Sequence, residues 1–139
     1  NGGVIHINFS TYFLDDATRK AMEQHGSELA KILKEKGIKE GDNEAKAVIA
    51  EYEKTHPLVF SDLEEVVNHI DHVVKMVGIE YVGFGSDFDG VGNSLPTGLK
   101  DVSQYPNLIY ALLKRGYSED DIANICYKNT FRVWRAVER

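Results

Sequence analysis

Leu63, Val66, Val67, Ile70, Val73, Val74 and Val77 recur at helical spacing, and Gly78 closes the run. A stripe of this kind needs an apolar surface to cover it. An apolar, β-branched stretch from Tyr81 to Ser86 follows within a few residues, and another, Val4 to Phe9, stands near the start. Val4, Ile5, Ile7 and Phe9 give the near-continuous hydrophobicity of a strand buried on both faces, with His6 and Asn8 interrupting it on one face. Helix alternating with strand in this way predicts an α/β fold built on a parallel sheet or barrel.

The remaining punctuation fills in the elements. Helices are predicted from about Asp15 to Lys36 and Asn43 to Thr55, joined by the turn "GIKEG". "HPLVF" reads as extended, because the residue before Pro57 is pushed away from helical torsions. Ser61, with Glu64 three residues on, predicts a capping box for a helix over Asp62 to Val77. Beyond the glycine-rich loop, "SQYPNLIYALLKRG" predicts a helix with Ser103 as cap and Gly116 as terminator. "SEDDIANICYKNTFRVWRAVER" predicts another, capped by Ser118, with Asp120 and Asp121 in its positive first turn. No internal repeat or low-complexity tract interrupts the pattern.

Charge excludes some partners. A net charge of -6 over 139 residues argues against a surface built for phosphate backbones or anionic lipid. Nucleic acid is therefore not an expected partner. No apolar run reaches the length needed to span a bilayer, and no signal-peptide pattern opens the chain. The lone Cys126 sits in the apolar pattern "IANICYKN" and is expected to be a buried structural thiol. The chain enters a strand almost at once after Asn1, which reads as a cut through a larger protein. An edge exposed along Val4 to Phe9 favours association of the piece, a homodimer included.

The stretch "VGFGSDFDGVG" is where chemistry is expected. Gly83 and Gly85 match part of a dinucleotide fingerprint, but Phe88 occupies the place of the last glycine. "DFDG" begins like a calcium loop, yet Gly98 stands where the bidentate glutamate belongs. Asp87 remains, either as a strand-end carboxylate at the mouth of an α/β barrel or as an acid capping its own turn. His69 and His72 are one helical turn apart and so placed either to share a metal or to bond as ordinary helix histidines. His6 lies within a strand, while His25 and His56 have no carboxylate or cysteine at ligand spacing. No serine elbow or phosphate-binding lysine loop occurs.

"HIDHVVKMVGIEYVGFGSDFDGVG", followed by "LPTGLKDVSQYPNLIYALLKRGYSEDDIANICYKNTFRVWRAVE", closely resembles the C-terminal portion of the membrane (renal) dipeptidase family of zinc peptidases. "GGVIHINF" is similar to that family's penultimate barrel strand. The resemblance implies strands seven and eight of a (β/α)8 TIM-like barrel, with residues 1–139 as one hydrolase fragment and residues 14–59 as a helical insertion. It implies a catalytic role for Asp87, receiving a proton from attacking water or gripping the free amine of a dipeptide. Asn8, Tyr12, Phe13, Phe88 and Gly90 are implied substrate-binding positions.

The resemblance also implies two zinc ions, with every ligand upstream of this chain, so no metal ligand is expected among its histidines. A dipeptide is the implied substrate, and an extracytoplasmic location accords with the family. The inserted helices, lying after a barrel strand, are expected to form a lid or a subunit contact. Two other readings stand beside the dipeptidase: a non-catalytic structural or interaction fragment, and a related amidohydrolase acting on another amide or a lactone.

Overall fold

The computed structural model describes residues 2–138. They divide into two compact bodies, residues 16–60 and the remainder.

The larger body is organised around two parallel strands, β1 (Ile5–Asn8) and β2 (Val82–Ser86). Ile5 pairs with Val82, His6 with Gly83 and Ile7 with Phe84, but Asn8 pairs with Ser86. Gly85 is thus an extra residue on β2, a bulge that re-aims the strand at its C-terminal end. A Cβ on Gly85 would lie 2.8 Å from the carbonyl oxygen of Ile7, so only glycine lets the backbones approach this closely. Among the described residues these are the two strands; the parallel pairing follows the sequence expectation, and the sheet here is a pair rather than a closed barrel.

A short helix α1 (Thr11–Leu14) follows β1. The long helix α4 (Leu63–Val77) buries Val66, Val67 and Ile70 completely. Each such side chain contributes about 1.5–3 kcal/mol, whereas an exposed ion pair contributes about 0–1. Burial therefore fixes the seating of α4. Its cap differs from the expectation: Asp62, not Ser61, accepts from the backbone of Glu64. Ser61 is instead buried and shares a hydrogen bond with Thr11, 50 residues away.

A 3-10 turn, Ile79–Tyr81, leads into β2. Helix α5 (Tyr105–Arg115) begins after a second 3-10 turn, Val102–Gln104, capped by Asp101 and not by Ser103, whose N–H is the donor. Gly116 ends α5 in the left-handed conformation, as its position predicts. Arg115 then ties α5 to α4 by donating to Asp71 at 2.6 Å and Glu64 at 2.7 Å. Tyr117 donates to the other oxygen of Asp71, and burial together with that carboxylate pushes its phenol well above the ordinary value.

Helix α6 (Glu119–Ala123) opens with the full capping box, Ser118 and Asp121 bonding each other's backbone N–H. It passes through a π turn, Asn124–Lys128, into α7 (Asn129–Val137). Within this turn the expectation of a buried Cys126 is corrected. Ile122, Ile125 and Asn129 form the buried face here, and Cys126 lies outside it and is exposed. Asn129 donates to the carbonyls of Ile79 and Val82, fixing the entry to β2.

The smaller body holds α2 (Asp16–Glu35) and α3 (Asn43–Thr55). Met22, Leu33 and Ala45 are buried in it. Tyr52 donates to Glu28 at 2.6 Å and stacks on His56 at 4.4 Å, while the ring nitrogen of His25 bonds the carbonyl of His56 at 3.0 Å.

Candidate active site

The C-terminal ends of β1 and β2 meet at Asn8 and Asp87. Ser86 and Asp87 take φ of 50° and 66°, both in the left-handed region. For residues with a side chain this backbone costs of order 1–3 kcal/mol each, and it persists only where surroundings enforce it. Several bonds do so. Phe9 donates its N–H to the carbonyl of Ser86 at 3.1 Å. The Asn8 amide donates to Asp87 Oδ2 at 2.7 Å, and Asn8 Oδ1 accepts from the N–H of Ser10, also at 2.7 Å. Asn8 therefore has a fixed amide orientation, with its donor end on the carboxylate.

Below this pair the chain is locked by buried hydroxyls. Ser10 bonds Ser94 at 2.8 Å, and the N–H of Thr11 reaches the carbonyl of Ser94 at 2.7 Å. The loop after Asp87 is thus fastened to the exit of β1. Phe88 turns its ring inward, 5.9 Å from Phe9 and 5.5 Å from Tyr105. Asp87 and Gly90 are exposed, and space around Gly90 is open within 4 Å of where a Cβ would stand. Between the core on one side and solvent on the other, a carboxylate held this way can accept a proton or a hydrogen bond from a cationic amine.

The expected site residues do not all converge. Asn8, Asp87 and the backbone of Phe88 form one contiguous end of the sheet. Tyr12 and Phe13 lie on α1, 39% and 67% exposed, and their side chains are not drawn into the Asn8–Asp87 pair. Sequence reasoning missed Ser86, Ser94 and Tyr105. Ser86 and Tyr105 hydrogen-bond through their hydroxyls across 19 residues. A serine at a strand end, between Gly85 and Asp87, is the signal that marks Ser86; nothing local marks its partner.

The histidines do not gather at this site. His6 bonds Thr130 at 3.0 Å and His69 the carbonyl of Leu14 at 2.9 Å, while His72 is exposed. Among the described residues no group of His, Cys, Asp or Glu is placed to hold a metal ion. The donor set of the described residues therefore does not fit a metal centre of its own. Among the same residues no helix is long and apolar enough to cross a membrane.

A bulged parallel strand pair, ending in an exposed carboxylate that a neighbouring strand orients, defines an α/β protein with a strand-end acid site. The family model for membrane dipeptidase, peptidase family M19, matches residues 1–139, and the chain belongs to that family. It is 43% identical over 88 residues to Dipeptidase aclJ of Aspergillus oryzae, covering 63% of this chain and 21% of that protein. It is 40% identical over 81 residues to Dipeptidase 3 of Homo sapiens, covering 58% and 16%.

Among solved structures, the probable dipeptidase PvdM from Pseudomonas aeruginosa superposes with a TM-score of 0.64 at 28% identity, over 96% of this chain and 36% of that one. A metallo peptidase from Rhodobacter sphaeroides, liganded with a phosphinate mimic of the dipeptide L-Ala-D-Ala, gives 0.58 at 26% identity, over 93% and 26%. The chain thus spans about a fifth of the length of these curated relatives and about a third or less of these solved structures.

Proposed function

We propose that this chain supplies the strand-seven and strand-eight end of a barrel that hydrolyses the peptide bond of dipeptides. The observation that carries the reading is the Asp87 carboxylate, exposed at the end of β2 and oriented by Asn8. The family membership, and the dipeptide mimic bound by the Rhodobacter sphaeroides relative, support a dipeptide as the substrate class.

A metal, zinc in this reading, would be held by residues other than those described here and would supply activation of the attacking water. The part taken by this chain begins at Asp87. Its carboxylate accepts the proton released as the water oxygen bonds the scissile carbonyl carbon, and returns it to the nitrogen as the C–N bond breaks. Alternatively it holds the substrate's free ammonium by a charge-assisted hydrogen bond. Asn8 orients Asp87, and the Phe88–Gly90 backbone, with Tyr12 and Phe13 nearer the rim, lines the dipeptide. We read residues 14–59 as an insertion that restricts access or contacts a second subunit, supported by residues 16–60 forming a body of their own.

Asp87→Asn in the whole protein tests the reading. Turnover falls by about a hundredfold or more, the scale of losing a general acid or base, while bound zinc is unchanged. Wild-type turnover would remove Asp87 from the mechanism and favour the non-catalytic reading. Hydrolysis of a lactone or acylated amino acid in preference to dipeptides would favour the related amidohydrolase.

A further inference from the structure

The geometry points to Tyr105 and Ser86 as positioning residues for the Asp87 carboxylate, an inference that rests on the role given to Asp87 above. Tyr105 is the first residue of α5, and its ring is fixed by the core: it stacks on Phe84 at 5.6 Å and meets Phe9 edge-on at 6.2 Å. From that anchored ring the hydroxyl bonds Ser86 Oγ, on the residue before Asp87. The same ring meets Phe88, the residue after Asp87, in a T-shaped contact at 5.5 Å. One side chain thus grips the chain on both sides of the carboxylate and leaves Asp87 itself facing solvent.

The choice of residue at position 86 carries the argument. A φ of 50° is free to glycine and strained for serine, and glycine already occupies positions 83, 85, 90 and 92 around it. Serine here keeps a backbone that glycine would relieve. What serine adds is the hydroxyl, and the hydroxyl goes to Tyr105. With the Ser86 carbonyl bonded to Phe9 and the side chain bonded to Tyr105, the torsion that aims Asp87 has little freedom.

The test uses Tyr105→Phe, Ser86→Gly and the double variant in the whole protein, with Asp87→Asn alongside. Tyr105→Phe keeps the ring contacts and removes only the hydroxyl; Ser86→Gly removes the hydroxyl and relieves the strain. Each single variant lowers kcat about tenfold or more, since small misplacements of reacting groups carry costs of that order, with KM within about twofold. Ser86→Gly does so while melting no lower than wild type, which a purely structural role would not produce. The double variant is no slower than the slower single variant, because both break one bond.

Wild-type kcat in Tyr105→Phe or Ser86→Gly, with turnover lost in Asp87→Asn, overturns the tether alone. Wild-type turnover in Asp87→Asn overturns the reading on which the tether rests. A Ser86→Gly variant that loses kcat only in proportion to lost folded protein overturns the tether and leaves the Asp87 reading standing.

Discussion

Asn8 and Asp87 sit 79 residues apart in sequence and 2.7 Å apart in space, with the amide of one donating to the carboxylate of the other. The other end of that amide is equally committed, since Asn8 Oδ1 accepts from the N–H of the buried Ser10. Two substitutions separate these duties. Asn8→Ala abandons both and leaves the Ser10 N–H without its acceptor, a loss of about 1–3 kcal/mol of stability. Asn8→Asp keeps the acceptor but sets a second negative charge against Asp87. Thermal melting is expected to drop further for Asn8→Ala. Turnover of the whole protein is expected to drop further for Asn8→Asp, by about tenfold or more relative to wild type.

Gly85→Ala and Gly83→Ala differ in what the new methyl meets. At Gly85 it meets the backbone of Ile7, the carbonyl oxygen at 2.8 Å and its carbon at 2.9 Å, which cannot move without breaking the strand pairing. At Gly83 it meets the side chain of His6 at 2.8 Å, which can swing away and surrender only its bond to Thr130. Urea denaturation is expected to show about 3 kcal/mol lost at Gly85 and about 1 kcal/mol at Gly83, the upper and lower ends of overpacking. Equal losses would mean that the backbones are not as tightly opposed as the bulge places them.

Ser10 and Ser94 are both 2% exposed and face each other at 2.8 Å. Ser94→Ala strands the Ser10 hydroxyl in the core, costing about 1–3 kcal/mol. Adding Ser10→Ala removes the stranded group, so the double variant is expected to lose less than the sum of the singles. A double-mutant cycle by chemical denaturation measures this coupling.

The Ser118–Asp121 capping box gives a pH dependence with a definite sign. The Ser118 hydroxyl, and then the Ser118 backbone N–H, hold the Asp121 carboxyl below its ordinary value in the folded protein. A carboxyl depressed by folding stabilises above the unfolded-state value of about 4 and loses that contribution as pH falls through the lower folded value. The stability difference between wild type and Asp121→Asn is therefore constant from neutral pH down to about pH 5 and shrinks at more acid pH. Thermal melts of both proteins across that range read it out.

Where the local chain determines the outcome, the sequence was a sufficient guide. The apolar period of α4, the left-handed Gly116 and the Ser118 cap each depend on residues within a turn or two. The misreadings have a common cause in distant contacts and helical phase. Ser61 and Asp62 are both good caps, and the bond from Ser61 to Thr11 decided between them. Cys126 was expected to be buried from the apolar pattern "IANICYKN", but the face that packs inward is Ile122, Ile125 and Asn129. At the candidate site, the local pattern left Asp87 open between a strand-end acid and a turn cap, and the family resemblance singled it out together with Asn8. The bonds around it were not legible, because Asn8 reaches Asp87 only when the strands pair, and Tyr105 reaches Ser86 only when α5 docks.

The π turn at Asn124–Lys128 places a demand on chain length rather than on composition. Each residue of a helix advances its face by about 100°, so deleting one residue here would rotate all of α7 by that angle. Asn129 would leave the carbonyls of Ile79 and Val82, and Thr130 would leave His6. Single substitutions along the exposed side of this turn disturb none of those bonds, whereas one lost codon disturbs them together. The length of this turn thus governs the entry to β2, at the opposite end of the strand from the Asp87 carboxylate.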